Sequence, residues 1–193
     1  VNGRYMHLKS GVFGIEVENY DKSKPLIIDP WVTYYGGNRN DKGVSICTDQ
    51  IGNSIITGQT ASLNFPTSPG AIQTTLNGLQ DDVFISKLGD NGHPIWSTYY
   101  GGSSEDLGSG IEANKATGEI FVCGWTESVD FPTGASVGNF VRNISYQGTT
   151  WSGFLMKLSQ SGLREWATFI GGPAGLTRCI DVAVDNNGMA IVN

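Results

Sequence analysis

Two aspartates, Asp41 and Asp106, each stand four residues after a Gly-Gly pair, Gly36-Gly37 and Gly101-Gly102. A carboxylate among the carbonyls of a tight loop is calcium chemistry, since Ca²⁺ takes six to eight oxygen ligands. The competing role is local, with each Asp accepting N–H bonds from its own turn. No Asp-x-Asp-x-Asp-Gly ladder accompanies either residue, so calcium rests on these two positions, and no other cofactor or metal is expected. Four aromatic residues open a second line. Phe65 and Phe131, each in a Phe-Pro-Thr triplet, could anchor a glycan or protein, or plug a gap between layers. Trp125 and Trp151 occupy unrelated positions and are candidate stacking platforms with a polar N–H handle.

Signatures of catalysis are scarce. The chain has no Gly-x-Ser-x-Gly, no His-x-x-x-His pair and no phosphate-binding glycine loop followed by Lys-Ser/Thr. Its two histidines, His7 and His93, have no evident metal partners. The carboxylate pairs Asp81-Asp82 and Glu105-Asp106 are neighbours in sequence, a spacing that does not make them converge on a substrate. Cys47, Cys123 and Cys179 sit among apolar neighbours without a CxxC, which predicts buried free thiols. The chain is therefore expected to be non-enzymatic.

What must position such residues follows from composition. Glycine makes up 27 of 193 residues without a collagen period, which points to many tight turns between short strands. The net charge of −6 opposes nucleic acid, whose phosphates would be repelled. No run of about 18 apolar residues is present, so no transmembrane helix is expected. Both ends read as internal, with no leader at Val1 and a strand pattern still running at Asn193.

A repeat dominates the pattern. Trp31-Val-Thr-Tyr-Tyr-Gly-Gly37, Trp96-Ser-Thr-Tyr-Tyr-Gly-Gly102 and Trp166-Ala-Thr-Phe-Ile-Gly-Gly172 are spaced by 65 and 70 residues. Between them Asn64-Phe-Pro-Thr67 answers Asp130-Phe-Pro-Thr133, and Asp82-Val-Phe-Ile-Ser-Lys-Leu88 answers Gly153-Phe-Leu-Met-Lys-Leu158. Asp49 to Gly58 matches Asn114 to Gly124, and Asp185 begins a third copy. Each unit predicts four short strands A to D, about 43–48, 53–60, 82–88 and 94–100, then 109–113, 119–126, 153–158 and 163–170. Four antiparallel strands bury both faces only by stacking against similar sheets, which is the propeller solution. The fold class is thus all-β, a β-propeller of four-stranded antiparallel blades.

These landmarks together, Trp-Ser-Thr-Tyr-x-Gly-Gly, Asp-x-Gly-x-x-Ile, Phe-Pro-Thr and Phe-x-x-Lys-Leu, resemble the bacterial β-propeller repeat called SBBP over residues 31–193. Departures are Asn114 in place of the usual Asp, and the second B–C insertion, which lacks the Pro69-to-Thr75 pattern. The resemblance implies a large secreted or cell-surface bacterial protein. It also makes residues 1–30 the end of a preceding β-rich region.

The propeller part then divides into a strand D at 31–37, a blade at 38–102, a second at 103–172 and a partial blade at 173–193. Strand D at 31–37 would complete the last blade and close the ring. Two complete blades fall short of the roughly four that a propeller requires, so the remaining blades are expected from the same chain or another. Long D–A and B–C connections gather on one face, where binding is usually built. The expected function is a scaffold for structural display, adhesion or protein binding there. A carbohydrate-binding propeller is the alternative, and a propeller lyase or glycosidase a remoter one.

Overall fold

The structure is a computed structural model that describes residues 2–9, 12–18, 20–24, 34–89, 91–135, 151–171, 176–185 and 187–193. Two compact units divide the chain, Val1–Val32 and Thr33–Asn193. The first is an antiparallel hairpin of β1 (Asn2–Lys9) and β2 (Val12–Glu18).

The second unit carries the repeat as sheets. β3 (Asp41–Thr48), β4 (Ser54–Thr60), β5 (Asp82–Leu88) and β6 (Pro94–Tyr100) form one antiparallel sheet in chain order. β7 (Asp106–Ala113), β8 (Ile120–Thr126), β10 (Ser152–Leu158) and β11 (Arg164–Ile170) form the next, and the two-residue β9 (Gly134–Ala135) adds a fifth strand outside β11. β12 (Val182–Val184) and β13 (Ala190–Val192) make a further hairpin. The molecule is all-β, with two four-stranded, blade-like antiparallel sheets. The predicted strands are met within a residue or so at most ends, and strand A of each blade starts earlier, at the aspartate itself. Of the strand D expected at 31–37, residues 31–33 lie outside the described residues and Tyr34–Gly37 carry no strand.

Burial explains the sequence pattern. β5 and β8 are buried on both faces, so Val83-Phe-Ile85 and Ile120-Phe-Val-Cys123 read as continuous apolar runs. Three hydrophobic clusters alternate with the sheets. Phe65, Phe84 and Tyr99 fill one face of the first sheet. Ile55, Val83, Ile85 and Trp96 from the first sheet share the central cluster with Ile111, Val122, Phe154 and Met156 from the second. Phe121, Cys123 and Leu155 then meet Cys179 and Val182 beside the β12–β13 hairpin. The free thiols of Cys123 and Cys179 are buried and Cys47 is partly so, close to expectation.

One glycine of each blade is required by close approach. Strand A bulges at Val44 and Ser109, where the register with strand B slips by one residue. A Cβ on Gly58 would collide with the Lys42 carbonyl oxygen, and one on Gly124 with the Leu107 carbonyl oxygen. Gly124→Ala is therefore expected to destabilise the chain by about 1–3 kcal/mol through overpacking against backbone. A urea midpoint unchanged from wild type would show that the bulge yields freely.

Candidate functional site

The Gly-Gly corners that begin each blade are built identically. Gly37 N–H donates to Asp41 Oδ2 at 2.7 Å, and Gly102 N–H to Asp106 Oδ2 at 2.7 Å. The next N–H reaches Asn64 Oδ1 or Asp130 Oδ1, 2.8 Å in each blade. The one after reaches Ser62 Oγ at 2.8 Å or Ser128 Oγ at 2.9 Å. Those serine hydroxyls donate back to the same aspartate oxygen, at 3.0 and 2.9 Å. Thr60 donates its hydroxyl to Asp41 Oδ1. Asp41 is thus occupied on both oxygens by its own corner, which is the local capping role weighed above against calcium. Among the described residues no group of three His, Cys, Asp or Glu is placed to hold a metal ion.

Asp106 shares this cap but differs in surroundings. It is fully buried, and its Oδ1 lacks a hydrogen-bond partner of normal geometry. Burial first, and then Asp130, push its carboxyl up to about 7, against the pull of Thr126, Gly102 and Ser128. Asp82, at the start of β5, is fully buried as well and has an unpartnered Oδ1. Its Oδ2 accepts from Asn77 N–H at 2.9 Å and Gln73 Nε2 at 2.6 Å. Burial, Asp106 and Asp81 raise it to about 7, while Asn77 and Gln73 pull the other way. Sequence spacing placed no weight on Asp82, because its partner is Asp106 across the seam between the sheets.

The aromatic candidates turn inward. Phe65 and Phe131 are each only 3 % exposed, so neither is an anchor for a ligand. Phe65 lies 4.7 Å from Phe84, and Phe131 4.7 Å from Phe154, centroid to centroid. A tyrosine stands edge-on to each, Tyr35 at 5.5 Å and Tyr100 at 5.2 Å. The same tyrosines donate their hydroxyls to the carbonyls of Pro66 (3.4 Å) and Pro132. Phe-Pro-Thr is thus a plug-and-latch device. Tyr100 carries it from the first sheet into the second.

Trp125 and Trp151 also fail as open platforms. Their rings lie 5.7 Å apart, and Trp125 is 9 % exposed. The Arg178 guanidinium covers both, 3.7 Å from the Trp151 centroid and 4.8 Å from that of Trp125. Glu127 accepts the Trp151 indole N–H. Trp96 belongs to the shared cluster, and its indole N–H reaches the Gln160 carbonyl at 3.1 Å in the turn between β10 and β11.

The described surface offers an open cleft of about 1250 Å³ beside the outer strands, bordered by Gln73, Asn77, Tyr100, Ser159, Arg164 and Glu165. Arg164 is tied to Tyr100 Oη at 3.2 Å and to the Pro132 carbonyl at 3.0 Å. The long connections also expose Leu63 (55 %), Leu79 (95 %) and Val129 (61 %). Leu63 and Val129 are the same repeat position, two residues before the plugging phenylalanine.

No protein-family model matches the chain. Over 157 residues it is 29 % identical to an uncharacterized WD repeat-containing protein of Acanthamoeba polyphaga mimivirus. The chain is similar to part of that protein. The aligned stretch is 77 % of this chain and spans only 11 % of the viral protein's length.

Proposed function

We propose that this chain is part of a β-propeller that works as a non-enzymatic binding scaffold, presenting its D–A and B–C connections to a protein partner. One observation carries this: the recurring polar and aromatic residues are engaged in capping corners and joining sheets, while Leu63, Leu79 and Val129 remain exposed on the long connections. Exposed apolar side chains on loops held by a rigid sheet are suited to protein contact. The WD-repeat name of the viral relative supports the propeller reading, and the repeat landmarks support an SBBP-like protein that is secreted or displayed on a bacterial surface. Carbohydrate binding is disfavoured because the indoles it would need are covered by Arg178.

The test uses the full chain, immobilised, beside a Leu63→Ser/Leu79→Ser/Val129→Ser variant. The variant is expected to melt within about 2 °C of wild type, since exposed substitutions change stability little, and to retain at least tenfold less of any protein captured. Equal capture by both, or binding on a glycan array that Trp125→Ala abolishes, would overturn the proposal.

A further inference from the structure

The corner of the second blade faces another carboxylate. A Cβ on Gly101 would stand 2.6 Å from Asp106 Oδ2 and 2.6 Å from Asp82 Oδ1. The two oxygens are therefore separated by at most twice that distance. Each carboxyl uses Oδ2 to accept two donors, Gly102 N–H and Ser128 Oγ–H for Asp106, Asn77 N–H and Gln73 Nε2–H for Asp82. Asp82 leaves Oδ1 buried without a partner, and on Asp106 the remaining donor is the Thr126 hydroxyl. A buried carboxylate oxygen without a donor is costly, whereas a protonated oxygen at the same place is itself a donor.

The groups around the pair do not offset its charge. Asp81 lies beside Asp82 and Asp130 beside Asp106, and both are acidic. From β6 the phenols of Tyr99 and Tyr100 face Asp82 and Asp106 respectively. From β8 comes the neutral Thr126 hydroxyl, and Glu105 adjoins in the same corner. Arg164 reaches the Tyr100 hydroxyl. No lysine, arginine or histidine is among the groups that most influence either carboxyl.

The next seam along the chain provides an internal comparison. Ser152 pairs with Thr126 as Asp82 pairs with Thr60. Thr177 Oγ1 stands 2.5 Å from a Gly171 Cβ as Asp106 Oδ2 does from that of Gly101. The Thr177 N–H bonds to the Trp151 carbonyl as that of Asp106 bonds to the carbonyl of Asp81. At the equivalent places both carboxyls are thus hydroxyls. The same backbone is compatible with neutral side chains at both positions.

We propose that Asp82 and Asp106, buried and facing each other across the seam between the two sheets, are protonated there and make the seam pH-dependent, tight when the pair is protonated and weakened when both are ionised. Burial, the largest influence on each, raises both carboxyls from 3.8 to about 7. Interacting sites titrate as a pair. With folded values above unfolded ones, the folded chain holds more protons across this interval. The pair's contribution is then full below about pH 4 and is lost as pH rises through about 7.

Thermal melts of the full chain at pH 5.5 and 8.5 test this. Wild type is expected to melt at least about 5 °C lower at pH 8.5, a shift within reach of a few kcal/mol in a domain of this size. Asp82→Asn and Asp106→Asn, which keep the shape of each side chain and remove its charge, are each expected to halve that difference and to raise the melting temperature at pH 8.5. The Asp82→Ser/Asp106→Thr double variant copies the neighbouring seam and is expected to abolish the difference, providing a second variant should an Asn substitution fail to fold. A pH difference that survives in all three variants overturns the proposal. So does recovery of the wild-type melting temperature at pH 8.5 by millimolar CaCl₂ that is absent from the variants, which would assign the site to a cation.

Discussion

Truncating Phe131 to alanine is expected to lower stability by about 3–5 kcal/mol, the range for buried aromatic-to-alanine changes. The ring is 3 % exposed and belongs to the cluster shared by both sheets. It touches Phe154 at 4.7 Å, Tyr100 at 5.2 Å and Phe169 at 6.1 Å. Its removal therefore opens a cavity inside the cluster that the two sheets share. Each such pair adds about 0.5–1.5 kcal/mol beyond the area buried. The matched Phe65→Ala change acts in the smaller cluster of Phe84 and Tyr99 and is expected to cost less. Urea unfolding of both variants checks the order; a loss below about 1 kcal/mol for Phe131→Ala would mean that the sheets are joined by something else.

The second large effect concerns charge. Lys87 Nζ lies 2.9 Å from Asp49 Oδ2, with both side chains only 4 % exposed. Asp49 also caps the A–B turn, accepting from Ile51 and Asn53 N–H and from the Asn53 amide. Burial would raise the Asp49 carboxyl, but Lys87 and Asn53 outweigh it and bring it down to about 2. Asp49→Ala leaves a buried lysine without a counter-charge and is expected to cost about 3–5 kcal/mol. In the second blade the turn aspartate is Asn114, and Lys157 turns to Glu119 and Glu165 (3.1 Å) where the side chains are 18–37 % exposed. Lys157→Ala is accordingly expected to cost about 1 kcal/mol or less. Because the folded value of Asp49 is depressed, its ion-pair stability is present above the unfolded value of 3.8 and is lost as pH falls toward 2. Acid unfolding should therefore move to lower pH in wild type than in Asp49→Asn, and coincident curves would contradict the pairing.

The strands were legible because each repeat states them twice. Asp82–Leu88 and Pro94–Tyr100 fall where the alternation of apolar runs with Asn/Gly turns puts them. Turn capping by Asp41 followed from its distance to Gly-Gly, since hydrogen bonds across four residues are local. Contacts across the seam were not legible. The approach of Asp82 to Asp106 depends on how one sheet sits on the next, and spacing along the chain carries no such information. Trp125 and Trp151 looked like exposed platforms because they do not recur, yet Arg178 arrives from the segment before β12 to cover them. A non-recurring aromatic marked a local variation of packing. It did not mark a free surface.

The tyrosine latch has a direction. Tyr100 ends β6 of one sheet, but the carbonyl that receives its hydroxyl belongs to Pro132, reached only after β7 and β8 of the next have been made. Tyr35 stands in the same relation to Pro66. On a ribosome, which delivers residues N-terminal first, each sheet emerges with its tyrosine waiting and is completed by its successor. Assembly then proceeds as a zipper whose newest tooth is always open, and a pause in translation between Tyr100 and Pro132 would hold the nascent chain in that unlatched state.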